Sequence, residues 1–191
     1  MSNKPRYIIV AGVNGSGKST FYRAFLSYFI NTQRINADEI LRRNGGDWQK
    51  MSDNMKAMRE VIHLINQAIE NQISFHQETT LSGQGHKRWI EKAKEKGFEV
   101  TLLYFGLKHV NLAVDRVKQR VAKGGHGIPE ETIRKRFQRS LKNLEIIAPL
   151  CDRVELYDNT DSFISVYERK DDHIVTTPSK NIEWIPYSLI Q

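Results

Sequence analysis

The sequence predicts an α/β P-loop NTPase fold, a three-layer sandwich. Its mainly parallel central sheet should carry helices on both faces and end in a C-terminal β-hairpin. Three observations carry that expectation. Gly12-Val13-Asn14-Gly15-Ser16-Gly17-Lys18-Ser19-Thr20 fits G-x-x-x-x-G-K-[ST] without mismatch. An apolar, β-branched run, Tyr7-Ile8-Ile9-Val10-Ala11, leads into it, and Phe21 to Phe29 follows with apolar positions at helical spacing. Beyond them, strand candidates alternate with amphipathic helices as far as Asn159.

The residue types of the motif follow from phosphate chemistry. Glycines let the backbone turn tightly and aim its N–H groups at an anion. A helix starting near Lys18 adds its positive end. Lys18 should reach the β- and γ-phosphates, and the Ser19 hydroxyl should bind Mg²⁺. Gly12, Asn14, Gly15, Ser16, Gly17 and Thr20 complete the nucleotide-binding set, so ATP with Mg²⁺ is the expected cofactor pair.

The 191 residues suit one domain, 1–191, with a lid at about 120–136. No apolar run is long enough for a transmembrane helix. Met1 to Arg6 leads straight into the first strand, which leaves no room for a signal peptide. Cys151 is the only cysteine; it excludes an internal disulfide and fits a reducing cytoplasm. Its apolar neighbours predict a buried structural thiol. The expected location is cytoplasmic, with no membrane partner. A net charge of +7 raises nucleic acid as a partner. The cations are spread along amphipathic helices, however, and no RRM or KH signature occurs. Nucleic acid is therefore disfavoured. A cationic cleft for an anionic small substrate and solvated helix surface account for the excess.

Along the chain, Gln33-Arg34-Ile35-Asn36 is a short strand running into the helix Ala37 to Arg43. Asp38 falls at that junction, on the carboxyl edge of a parallel sheet where ligands bind in open α/β folds; a helix N-cap is the alternative reading. From Trp48 to about Gln72, Met51, Met55, Met58, Ile62, Ile65 and Ile69 step by three and four, which predicts a long helix with the methionines in the core. Ile73 to Thr80 reads as a strand ending in Glu78, Thr79 and Thr80. Polar groups at a central strand's end are costly without a ligand or partner, so Glu78 is a second acidic site candidate. No hydrophobic strand ends in Asp-Glu. Mg²⁺ should then be held by Ser19, phosphate oxygens and water, with Asp38 or Glu78 nearby. His76 reads as a satisfied, half-buried histidine.

His86 to Lys96 is a basic helix, and Phe98 to Phe105 a buried strand. Val110 to Lys123 is helical, with Arg116 and Arg120 one turn apart. Gly124-Gly125-His126-Gly127-Ile128-Pro129-Glu130-Glu131 has the flexibility of a lid, with Pro129 at the first position of the next helix. That helix carries Arg134, Arg136 and Arg139. Arginines on both sides of a glycine-rich hinge suit closure over a γ-phosphate. Arg153 to Asn159 is the last parallel strand, whose end, Asn159 included, flanks the adenine in this reading. Phe163–Arg169 and His173–Thr177 form the hairpin, and the tail from Pro178 to Gln191 docks against the body.

The P-loop, Asn36-Ala37-Asp38, Glu78-Thr79-Thr80-Leu81-Ser82-Gly83, the lid through Arg136-Phe137, and Tyr157-Asp158-Asn159 together resemble the zeta-toxin-like P-loop kinases. The likeness spans roughly residues 6 to 160. It implies a nucleotide-kinase-like sandwich and transfer of the ATP γ-phosphate to a hydroxyl of a small molecule, in zeta toxins a sugar hydroxyl of UDP-N-acetylglucosamine. It makes Asp38 the acid that activates the acceptor hydroxyl, and Glu78, with Thr79, the substrate contact. It makes Arg120, with Arg136 or Arg134, the phosphate-clamping pair. It also brings an antitoxin protein into view as a partner. The chain is shorter than most such toxins in the substrate-binding part. A P-loop ATPase with a regulatory or nucleic-acid-associated role is the alternative reading.

Overall fold

The computed structural model describes residues 4–177 and 182–190. One seven-stranded sheet runs through it in the order β2-β3-β1-β4-β5-β6-β7. The strands are β1 (Arg6–Ala11), β2 (Gln33–Asn36), β3 (Phe75–Thr79), β4 (Glu99–Gly106), β5 (Arg153–Asp158), β6 (Ile164–Lys170) and β7 (His173–Thr176). The first five are mutually parallel; β6 and β7 return antiparallel as the hairpin. The helices are α1 (Lys18–Ala24), α2 (Ala37–Arg43), α3 (Met51–Glu70), α4 (His86–Glu95), α5 (Val110–Ala122) and α6 (Glu130–Ile147).

Alternate residues of β1 face opposite layers, as the period of a strand requires. Tyr7, Ile9 and Ala11 point into the larger core with Ile65 and Ile69 of α3, Ile90 of α4 and Leu144 of α6. Ile8 and Val10 point to the other face, under Phe21 and Phe29. Val13 of the loop packs with Val114 and Val117 of α5 and Ile133 of α6. Burial on both faces explains why β1 reads as an apolar run and why β4 is apolar from Val100 to Phe105 apart from Thr101.

Three sequence expectations change. The helix after the P-loop stops at Ala24, and Leu26–Phe29 forms a 3₁₀ turn. Phe21 packs at once on Phe25, Phe105 and Tyr157, and this aromatic cluster overrides the helical periodicity. The methionine stripe of α3 is solvent-exposed, Met51 at 76% and Met55 at 50%. The buried face keeps Ile65 and Ile69 of the expected stripe and adds Ala57, Val61 and Ala68. Two alanines let α3 sit close to its neighbours, and the methionines fall on the flank. Pro129 sits at the N-cap of α6, one position earlier than expected.

The tail docks as the sequence suggested. Trp184, Ile185 and Leu189 enter the larger core, and the Trp184 indole N–H donates to Asp158 Oδ2 at 2.6 Å. The part of the tail at residues 178–181 lies outside the described residues. Cys151 is buried, and burial pushes its thiol up to about 12, so it is an inert packing group. Among the described residues no helix is long and apolar enough to cross a membrane.

Candidate active site

The β1–α1 loop sets the site. Gly17, at the N-cap of α1, has φ +97°, and a Cβ there would meet Asn159 Nδ2 at 2.3 Å. Only glycine allows both the conformation and the approach. Asn159 is buried and donates to the Ser16 carbonyl at 2.8 Å. It braces the loop from the end of β5. Arg116 of α5 does the same from another side, donating to the carbonyls of Gly15 at 3.4 Å and Thr160 at 3.0 Å. Lys18 is buried and its Nζ donates to the carbonyls of Gly12 at 2.7 Å and Val13 at 3.1 Å. Burial lowers its pKa; the charges acting on it are Glu78 and Asp38, which oppose that shift, and Arg120 and Arg136, which reinforce it. The charges that act on this ammonium come from β3, α2, α5 and α6.

β3 lies beside β1, with Glu78 opposite Val10 in the register. The Ser19 hydroxyl donates to Glu78 Oε1 at 2.6 Å. The other carboxylate oxygen accepts from Arg34 at 3.1 Å and Asn36 Nδ2 at 2.7 Å. Arg34 in turn lies 3.5 Å over the Tyr22 ring. Glu78 thus stands directly behind the hydroxyl expected to bind Mg²⁺, on the strand next to the P-loop strand. Thr79 turns away: its hydroxyl accepts from Leu81 N at 3.1 Å and meets His86 Nε2 at 3.3 Å.

Asn36, not Asp38, caps α2. Its side-chain oxygen accepts from the backbone N–H groups of Asp38 at 2.8 Å and Glu39 at 3.1 Å. The Asp38 carboxylate is thereby left half-exposed at the mouth of a cleft of about 750 Å³. Ser19, Tyr22, Arg34, Asn36, Trp48 and His126 also line that cleft.

The arginines of the expected lid differ in their surroundings. Arg120 Nε and one terminal nitrogen are buried without a partner among the described residues. Arg136 donates to Asn14 Oδ1 at 3.2 Å, and burial lowers its pKa against the pull of Asp38. Arg134 is exposed and tied to Glu130 of its own helix at 2.7 Å. Two buried guanidinium nitrogens without a partner among the described residues are a costly arrangement that an incoming phosphate would relieve. The residues present therefore fit ATP. Among the described residues no group of three His, Cys, Asp or Glu could hold a metal. The donor set fits Mg²⁺ bound through Ser19 and phosphate oxygens.

The zeta toxin family model matches residues 1–172. The chain belongs to the zeta toxin family. With that membership goes the coarse activity, an ATP-using phosphotransferase of kinase type. An uncharacterised Haemophilus influenzae protein is 37% identical over 137 residues, 72% of this chain and 94% of that one. The fold is similar to that of a chain from the PezAT toxin–antitoxin system of Streptococcus pneumoniae, with TM-score 0.63, 21% identity, and coverage of 87% of this chain and 72% of that one. It is also similar to a chain of the AvrRxo1-ORF1:-ORF2 complex with ATP, with TM-score 0.71, 16% identity, and coverage of 94% of this chain and 65% of that one. A putative kinase from Chloroflexus aurantiacus, TM-score 0.58 and 19% identity, shares the fold over 83% of this chain and 90% of its own.

Arg34, Asn36, Arg116, Trp48 and His126 were not singled out by sequence as site residues. Asn36 carried the one usable signal, an Asn at a strand-to-helix junction.

Proposed function

We propose that this chain transfers the γ-phosphate of ATP to a hydroxyl of a small molecule, with UDP-N-acetylglucosamine as the first acceptor to test. The observation carrying the reading is the half-exposed Asp38 carboxylate in the same cleft as Ser19, the P-loop hydroxyl that Glu78 holds at 2.6 Å. Asp38 takes the acceptor's proton as the hydroxyl oxygen attacks the γ-phosphorus. The bond to the bridging oxygen breaks, and ADP leaves with the charge. A loose transition state asks the protein mainly for position and neutralisation. Lys18, Arg120 and Arg136 supply the charge, and Asn14 holds Arg136 toward the loop. Mg²⁺, when bound, offsets phosphate charge; Ser19 would hold it, and Glu78 would keep that hydroxyl in place.

Arg34 and Tyr22 form one wall of the acceptor cleft in this reading, and Trp48 the other. The single-domain organisation, a cytoplasmic location and an antitoxin partner belong to the same proposal. The antitoxin is supported by the toxin–antitoxin assembly named for the pneumococcal relative. Incubation with ATP, Mg²⁺ and a panel of hydroxylated metabolites, UDP-N-acetylglucosamine first, should yield one product heavier by a phosphate. ATP turnover with no phosphorylated small molecule across the panel, together with salt-sensitive RNA binding, would replace the kinase reading with the nucleic-acid one.

A further inference from the structure

The lid carries a group that phosphate chemistry does not use. His126 sits in the glycine-rich loop between α5 and α6. Its Nε2 is 3.7 Å from Asp38 Oδ1, across the cleft from its own helices. Its ring packs on Trp48 with centroids 5.5 Å apart. The loop backbone is fitted to that neighbour: a Cβ on Gly127 would meet Trp48 Cη2 at 2.8 Å. Trp48 lies ahead of α3, so it ties the acceptor side of the cleft to the lid. On the other side of the histidine, a Cβ on Gly125 would meet Arg120 Cγ at 2.6 Å and the Arg120 carbonyl at 2.9 Å. The backbone next to His126 therefore rests on the arginine that has two buried guanidinium nitrogens without a partner among the described residues.

From this geometry we infer that His126 is a positioning residue for Asp38. It acts through its Nε2–H, and Arg120 sets its reach when a phosphate arrives. The inference rests on the reading that Asp38 is the base. At 3.7 Å the contact is too long for a hydrogen bond. A lid shift of under about 1 Å would bring it to donor–acceptor distance. Neutral His126 then donates to one carboxylate oxygen and leaves the other free for the acceptor's proton. Arrival of ATP at Arg120 and alignment of the base become one event, so the base is aligned only with nucleotide present. The charged groups acting on the ring are Asp38 of α2, Arg120 of α5 and Arg136 of α6. Burial and the two arginines favour the neutral form that this role needs, while Asp38 opposes them.

The test does not depend on the acceptor. The His126 pKa is measured by NMR on ¹³C-histidine-labelled protein, with the resonance assigned from His126→Gln. It is compared in the wild type and Asp38→Asn, each without and with Mg²⁺ and a non-hydrolysable ATP analogue. Asp38→Asn should lower the His126 pKa by about 0.5 unit or more, because a nearby carboxylate is lost. The wild-type-minus-variant difference should grow with the analogue bound, since that subtraction removes the analogue's own charge. Trp48→Ala should abolish the growth and Trp48→Phe should keep it. A difference below about 0.2 unit in both conditions would overturn the inference. Full-rate transfer by Asp38→Asn in the product assay would instead overturn the base reading, so the two failures are distinguishable.

Discussion

Two buried histidines weaken this fold in acid. His76 of β3 and His86 of α4 are 2% and 5% exposed, and burial lowers each pKa from 6.5 to about 4. Unfolded, each titrates near 6.5 and binds a proton that the folded state refuses. Stability is therefore full above about pH 7 and falls as pH drops through 6.5 toward 4. Between pH 7 and pH 5 the linkage relation gives a loss of about 2 kcal/mol per histidine, roughly 4 kcal/mol for both. That is a large share of a total of about 5–15 kcal/mol. The assay is urea denaturation at the two pH values for the wild type and His86→Gln. The glutamine lowers stability at both, because the ring packs edge-on to Trp89. What matters is the difference between pH values, which should shrink by about 2 kcal/mol in the variant. Equal pH dependence in the two proteins would refute the buried-neutral account of His86.

Three further outcomes follow from the geometry. Arg120→Ala should cut phosphoryl transfer by a factor on the order of 10³, the scale of a charge-stabilising arginine; steady-state turnover checks it. Gly17→Ala meets both a φ of +97° and the Asn159 amide at 2.3 Å. ATP affinity measured by calorimetry should be lost, with a stability cost of about 1–3 kcal/mol. In α3, Met55→Gln should change stability by less than about 0.5 kcal/mol. Ile65→Ala, in the same helix but fully buried, should cost about 2–5 kcal/mol by chemical denaturation.

The centre of the sheet was legible because parallel strands buried on both faces are written as apolar runs, as β1 and most of β4 are. The position of Asp38 beside the cleft was legible because it closely follows a short strand. The phase of α3 was legible only in part: Ile65 and Ile69 are buried as expected, but the methionines before them are exposed, and pattern alone does not say that Ala57 and Val61 face inward there. Small residues won because they allow close approach. The break after Ala24 carries no glycine or proline, so only the aromatic packing around Phe21 reveals it. The position of Glu78 behind Ser19 depends on β3 lying beside β1, a pairing across more than sixty residues that no local signal records. The approach of His126 to Asp38 is equally non-local, and the lid glycines gave its flexibility but not its target.

The central claim is that Asp38 takes the proton from an acceptor hydroxyl while the P-loop and its arginines hold the phosphate. Its most direct test pairs two readings on Asp38→Asn: ATP affinity by calorimetry, and phosphorylated product by mass spectrometry with the acceptor found in the screen. ATP affinity should stay within about threefold of the wild type, and product formation should fall by a factor on the order of 10² or more. Wild-type product formation by Asp38→Asn would contradict it.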